Sequence, residues 1–93
     1  TLIAGARALR EHGAREVWIY VTHALLSEEG LERLSASDDV AGIVVTDSVP
    51  IDARQQPDNL TVLTVSGLLA ATIMNVFADD SVSAIFGGEN QLF

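Results

Sequence analysis

The stretch GIVVT at Gly42–Thr46, followed at once by Asp47 and Ser48, decides the fold. A short apolar run that is rich in β-branched residues and bounded by polar ones is typical of a buried strand in a parallel sheet. Two similar runs lie on either side of it in the chain, VWIYV at 17–21 and LTVLTV at 60–65. The sequence therefore predicts three short strands, and the unbroken first run predicts a strand covered on both faces.

Segments with helical periodicity alternate with these strands. Apolar residues at helical spacing predict a helix over 2–12, with Gly13 where a C-terminal cap is expected. A second helix is predicted over 28–36, because Ser27 can cap its N-terminus and two glutamates follow in its first turn.

The last third of the chain contains a third predicted helix, over 67–78, which Ser66 can cap. This helix is apolar almost all round, so we expect it to be buried on two sides. A short turn is predicted at 81–86. The loop at 48–59 contains two prolines and is long for a compact domain, which favours a functional role for it.

The predicted order is helix, strand, helix, strand, strand, helix. Parallel strands are joined by crossovers, and the first helix has no strand before it from which to cross over. A sheet of three strands would also leave both of its edges open. We therefore predict the α/β class with an incomplete doubly wound, mostly parallel sheet, and we expect residues 1–93 to be a fragment of a larger domain.

Charge and composition exclude several classes of function. Thirteen acidic residues against five arginines and no lysine give a net charge of −8, which repels nucleic-acid phosphates and anionic lipids. The lack of cysteine and lysine rules out disulfides, thiolate metal sites, cysteine nucleophiles, P-loops and Schiff bases. No apolar run approaches the roughly 20 residues that span a bilayer, and no secretory signal follows Thr1. We expect a cytoplasmic protein with no nucleic-acid or membrane partner.

General acid–base catalysis needs a side chain that titrates near neutral pH, and His12 and His23 are the two residues of that type. His12 ends the first helix beside Gly13, so we favour a capping role for it over a catalytic one. His23 follows the first strand, at the edge where open α/β sheets bind ligands. We favour a structural His23, hydrogen-bonded to the neighbouring loop, over a functional one.

Further polar residues lie at strand and helix ends. Thr46–Ser48 could bind a sugar or a metal-bound water, or could simply form an Asx or ST turn, and both alternatives are open. The acidic pairs at 38–39 and 79–80 flank helices and their adjacent side chains diverge, which favours solvated turns over metal sites. Ser81 and Ser83 could hold phosphate at a helix N-terminus, or Ser81 could act only as a cap.

Five segments, in order and at compatible spacing, resemble the C-terminal part of ribose-phosphate diphosphokinase, also called phosphoribosyl pyrophosphate synthetase. They are TLIAGARALREHGA (1–14), VTHALLS (21–27), VVTDSVP (44–50), LTVLTVSGLLAATI (60–73) and SVSAIF (81–86). The resemblance covers nearly the whole chain. It implies two similar phosphoribosyltransferase-like domains, of which these residues would form the later part of the second.

The resemblance implies a transferase that moves the diphosphate group of ATP, with magnesium, to the anomeric hydroxyl of ribose 5-phosphate for nucleotide biosynthesis. It also implies a homo-oligomer, hexameric in some members. Thr1 matches the last threonine of the family's ribose 5-phosphate loop, DDxxDTxGT, where it would bind the 5-phosphate. Ser81 and Ser83 match the serines of the family's SVSxLF motif, which implies a regulatory phosphate and ADP site with Phe86 packing nearby.

Other family segments would precede Thr1, among them the acidic pair, the diphosphate loop, the basic catalytic loop and the ATP-binding domain. The resemblance therefore implies that this chain contains no catalytic residue and no metal site and is inactive by itself. Ala24 stands where many members have glycine, and LSEEGL at 26–31 stands in place of FSGPA. Two alternatives remain: a catalytically silent regulatory relative, and another phosphoribosyltransferase-fold protein or free-standing binding domain.

Overall fold

The computed structural model describes residues 1–86 of the 93. Its elements are α1 (Leu2–Glu11), β1 (Trp18–Val21), α2 (Glu28–Ala36), β2 (Gly42–Thr46), β3 (Leu60–Leu63) and α3 (Ser66–Phe77), with 3-10 turns at Ala53–Gln55 and Val82–Phe86. They form two compact units, residues 1–63 and a second that begins at Thr64. None of the helices within residues 1–86 has the length and apolar character needed to cross a bilayer.

The sheet has the order β1-β2-β3, and both pairings are parallel. Ile43 of the central strand lies opposite Ile19 on one side and Leu60 on the other. The predicted α/β class with an open parallel sheet is confirmed. Because all three strands run in one direction, their carboxyl ends meet at a single edge of the sheet.

The core of the first unit lies between one face of the sheet and helices α1 and α2. Ile43 and Val45 of the central strand are 0% and 1% exposed, and they pack in one cluster with Ala6 of α1 and Leu31 and Leu34 of α2. Alternate residues of the strands thus supply the core, as the period of two along a strand requires.

The opposite face of the sheet is open in the described structure. Trp18 and Tyr20 of β1 are 51% and 73% exposed, and Leu63 of β3 is also exposed. The prediction that the first strand is covered on both faces is therefore wrong for residues 1–86, because the packed helices lie on one side. The Trp18 ring lies across its neighbour Gly42, where any Cβ would collide with the indole.

The ends of α1 and α2 follow the sequence signals closely. Gly13 has φ +104°, and its N–H donates to the Arg10 carbonyl oxygen while the next N–H, of Ala14, donates to that of Leu9. This paired pattern is the Schellman motif, which glycine accommodates without a steric penalty. Ser27 caps α2 as predicted, since its hydroxyl accepts the Gly30 N–H at 3.0 Å.

From the end of β3 onward, the structure departs from the sequence prediction in three ways. Strand β3 ends at Leu63 rather than 65, because the Thr64 hydroxyl accepts the Ser66 N–H and turns the chain. Ser66 is therefore the first helical residue, and Val65 occupies the cap position instead. No residue of α3 is buried, so the expected burial on two sides is wrong for the described structure. Asp79, at φ 57°, ends the helix.

Substituting alanine at Gly13 and Gly5 is expected to change stability in opposite directions. At Gly13 a Cβ is strained by the positive φ, so the free energy of unfolding should fall by about 1 kcal/mol. At Gly5, in the exposed interior of α1, a Cβ meets no atom within 4 Å. The free energy of unfolding of Gly5→Ala should therefore rise by roughly 0.5–1 kcal/mol. Denaturant titration measures both changes. A fall in the free energy of unfolding of Gly5→Ala would contradict the described helix.

Candidate functional site

The loops that follow β1 and β2 are joined at the carboxyl edge of the sheet. The Thr46 hydroxyl donates to the Thr22 carbonyl oxygen at 2.5 Å and accepts the Ser48 N–H at 3.2 Å. The second contact is the ST turn that was one of the two alternatives for Thr46–Ser48. The neighbouring Asp47 N–H donates to the Leu63 carbonyl oxygen at 3.1 Å, so all three strand ends are tied together.

Ser48 joins the two loops through its side chain. Its hydroxyl oxygen lies 2.9 Å from the Thr22 carbonyl oxygen, to which it can only donate, and 2.8 Å from Nδ1 of His23. The predicted hydrogen bond between His23 and the neighbouring loop is therefore present. A hydroxyl has one proton, so when Ser48 donates to Thr22 the His23 ring must donate to Ser48.

The number of protons available in the cluster affects the balance between the two neutral tautomers of His23. When the ring donates from Nδ1, the ring, Ser48 and Thr46 each donate one side-chain proton, so the cluster holds three such donations. When the ring accepts, Ser48 must turn its proton to His23 and the cluster holds two. Since such a bond contributes about 1 kcal/mol, the cluster shifts the tautomer balance of His23 toward the Nδ1–H form. The exposed ring then presents Nε2 as a hydrogen-bond acceptor.

His12 has the capping role predicted for it. It is the C-cap residue of α1, and its Nδ1 lies 2.7 Å from the Ala8 carbonyl oxygen, to which it donates. The ring thereby adds a second donor to a carbonyl oxygen in the last turn, which already accepts the His12 backbone N–H at 3.1 Å.

Thr1 lies at the N-terminus of α1, beside a shallow pocket of about 270 Å³. Leu26 and Gly30, from the segment after β1 and the start of α2, line the same pocket, and so does Arg33. The Thr1 carbonyl oxygen accepts the first helical hydrogen bond, from the Gly5 N–H at 2.9 Å, while its hydroxyl makes no capping bond. That hydroxyl is therefore not committed to the helix.

A second pocket, of about 390 Å³, lies between the same loop after β1 and the long loop after β2. Leu25 and Ile51 supply apolar lining, and Glu28 and Asp52 supply carboxylates. Arg54 binds both oxygens of Asp52, at 3.2 and 3.0 Å, and these hydrogen bonds hold the pKa of the Asp52 carboxyl below its usual value. Asp52 also caps the 3-10 turn that follows. Sequence reasoning marked this loop as functional from its length but missed the ion pair.

Ser81 and Ser83 lie together in the second unit, as predicted. Their hydroxyl oxygens are 2.6 Å apart, the Ser83 N–H donates to the Ser81 hydroxyl at 3.2 Å, and the Asn75 amide donates to the Ser81 carbonyl oxygen. The element they begin is a five-residue 3-10 turn rather than an α-helix. The side chain of Phe86, the third predicted residue of this site, lies outside the described part of the structure.

The acidic pairs do not form a metal centre in the described part of the chain. Asp39 is bound by the Arg7 side chain at 3.3 Å, and Asp79 takes the left-handed conformation at the end of α3. Within residues 1–86, no group of three or more histidine, aspartate or glutamate side chains is arranged to hold a metal ion.

Removing the Ser48 hydroxyl is expected to weaken the tautomer preference of His23. The loss of about 1 kcal/mol in Ser48→Ala corresponds to a roughly fivefold fall in the ratio of the Nδ1–H to the Nε2–H form. Imidazole ¹⁵N chemical shifts measure this ratio, and His12, which donates to Ala8, is the internal control and should not change. An unchanged ratio at His23 would contradict the proton count.

Comparisons with known proteins give a consistent family. The family described as the phosphoribosyl synthetase-associated domain matches residues 1–87. A ribose-phosphate pyrophosphokinase from Synechococcus elongatus is 41% identical over 86 residues, which are 92% of this chain and 26% of that protein. Ribose-phosphate pyrophosphokinase 2, chloroplastic, from Arabidopsis thaliana is 43% identical over 86 residues, covering 92% of this chain and 21% of the relative.

A solved structure supports the same conclusion. The crystal structure of phosphoribosylpyrophosphate synthetase from Mycobacterium smegmatis superposes with a TM-score of 0.77 at 36% sequence identity. The match covers 84% of this chain and 26% of that chain. The present chain therefore spans about a quarter of the length of such relatives. The resemblance read from the five sequence segments is confirmed.

Proposed function

The chain belongs to the phosphoribosyl synthetase-associated domain family, and we propose that it forms the later part of the second phosphoribosyltransferase-like domain of a ribose-phosphate diphosphokinase. The parent enzyme would transfer the diphosphate group of ATP to ribose 5-phosphate, for nucleotide biosynthesis. The observation that carries this proposal is the match to relatives named ribose-phosphate pyrophosphokinase over more than nine-tenths of the chain. The open sheet face and the greater length of those relatives are consistent with a larger domain.

In this proposal Thr1 binds the 5-phosphate of ribose 5-phosphate. Its hydroxyl makes no capping bond, and it lies at the N-terminus of a ten-residue helix whose first N–H groups have no intrahelical partner. Such a helix end, with its partial positive charge, favours a phosphate group. The hydroxyl and the N–H groups together would donate to the phosphate oxygens without any lysine.

The remaining chemistry is assigned to segments outside this chain. The described residues provide no cluster of carboxylates or histidines for a metal ion, so they do not fit a resident magnesium. We place the magnesium ligands, the ATP site and the basic catalytic loop elsewhere in the parent. We further propose that the parent is a cytoplasmic homo-oligomer, and the family resemblance favours a hexamer. The alternative is a catalytically silent relative that only regulates such an enzyme.

Turnover with ATP, magnesium and ribose 5-phosphate tests this proposal. The full-length protein that contains the chain should form phosphoribosyl diphosphate and AMP in equal amounts, and the 93-residue chain alone should form neither. Conversion by the chain alone would contradict the assignment of catalysis to other segments. A full-length protein with no turnover, and with no acidic pair in the loop before Thr1, would favour the silent regulatory relative.

Ser81, Ser83 and Phe86 are proposed as part of a regulatory phosphate and ADP site. The support is that the two serine hydroxyls lie together at 2.6 Å, in a segment that matches the family's SVSxLF motif. In the full-length enzyme, the double variant Ser81→Ala with Ser83→Ala should need about tenfold more phosphate for activation and about tenfold more ADP for inhibition. Its basal turnover should be retained. Ser35→Ala, at an exposed α2 hydroxyl that bonds its own helix, is the control. Unchanged responses in the double variant would remove this site.

A further inference from the structure

We propose that His23 is a substrate-contacting residue whose Nε2 accepts a hydrogen bond from a hydroxyl group of the sugar, and that Ser48 is the positioning residue that holds the ring. This inference rests on the proposed function, since it concerns the sugar that the parent enzyme binds. The observation behind it is the cluster at the carboxyl edge of the sheet, where His23, Ser48 and Thr22 are joined by two hydrogen bonds.

The proton count specifies the chemistry of the ligand. With Nδ1–H donated to Ser48, the neutral ring has one remaining polar atom, Nε2, and that atom can only accept. A fully ionised phosphate oxygen also only accepts, so it is not a partner for the neutral ring. Among the groups of ribose 5-phosphate, a sugar hydroxyl has a proton to donate, and it is therefore the group that can pair with Nε2 of this tautomer.

The loop that contains His23 also contributes a residue to the pocket at Thr1. His23 follows β1 directly, and the same loop continues to Leu26, which lines the pocket at Thr1. Four residues before Leu26, the Thr22 carbonyl oxygen of the same loop accepts hydrogen bonds from Thr46 and Ser48 at the end of β2. Ligands in open α/β sheets bind in the crevice outside the carboxyl ends of the strands, which is where this loop lies.

The ring is both fixed and accessible, as a contact residue must be. Its one hydrogen bond among the described residues is at Nδ1, and the side chain is exposed. His12 offers a matched comparison, because its Nδ1 also donates to a protein oxygen, but at the opposite end of the helix from Thr1. The two histidines thus have similar local bonding and different positions relative to the sugar.

Steady-state kinetics of the full-length enzyme test the inference through four variants. His23→Asn keeps an N–H group that can reach Ser48 but lacks the outer acceptor. It should raise KM for ribose 5-phosphate about tenfold and leave KM for ATP unchanged. His23→Gln, whose amide oxygen can reach the Nε2 position, should restore part of the loss. Ser48→Ala should raise KM about threefold, because the ring is retained but no longer held, and His12→Asn should match the wild type.

Substrate analogues provide a second readout that a structural role would not change. With 2-deoxyribose 5-phosphate or with the 3-deoxy analogue, whichever lacks the contacted hydroxyl, the wild type and His23→Asn should have equal KM values. In His23→Asn, parallel increases in KM for ATP and for ribose 5-phosphate would overturn the inference, and so would an unchanged KM for ribose 5-phosphate. Turnover by the wild type would still uphold the proposed function. A wild-type protein that neither binds nor converts ribose 5-phosphate would overturn both.

Discussion

Parallel pairing of β2 with β1 on one side and β3 on the other fixes where the functional groups of the first unit lie. The central strand has the most buried large side chains among the described residues, since Ile43 and Val45 are almost completely excluded from solvent. A shift of this strand by one residue would turn both side chains to the open face. The same shift would move Thr46 and Ser48 away from Thr22, so the register that buries the core also assembles the loop cluster.

Much of this arrangement could be predicted from the sequence. The apolar runs located the strands, Ser27 and Gly13 marked helix ends that the structure confirms, and the rule for carboxyl edges singled out His23 and Thr46–Ser48. These signals are local or depend on strand direction alone. They required no knowledge of which side chains meet.

Other features could not be predicted because they depend on contacts between distant residues or on what covers a surface. The bond between His23 and Ser48 joins residues 25 positions apart, and no spacing rule gives it. The apolar pattern of β1 could not show that Trp18 and Tyr20 are exposed among the described residues, since such a run indicates faces suited to burial but not which element covers each face. The Asp52–Arg54 pair was missed because a long loop gives no periodic signal.

The central claim is that the carboxyl-edge loops of this chain bind the sugar phosphate, and a crystal structure of the full-length protein with ribose 5-phosphate tests it most directly. The account predicts the 5-phosphate at the Thr1 hydroxyl and the helix N-terminus, with a sugar hydroxyl within hydrogen-bond distance of His23 Nε2 and with Ser48 still bound to Nδ1. A sugar phosphate bound away from this edge, or a His23 ring turned away from Ser48 with no sugar contact, would contradict the account.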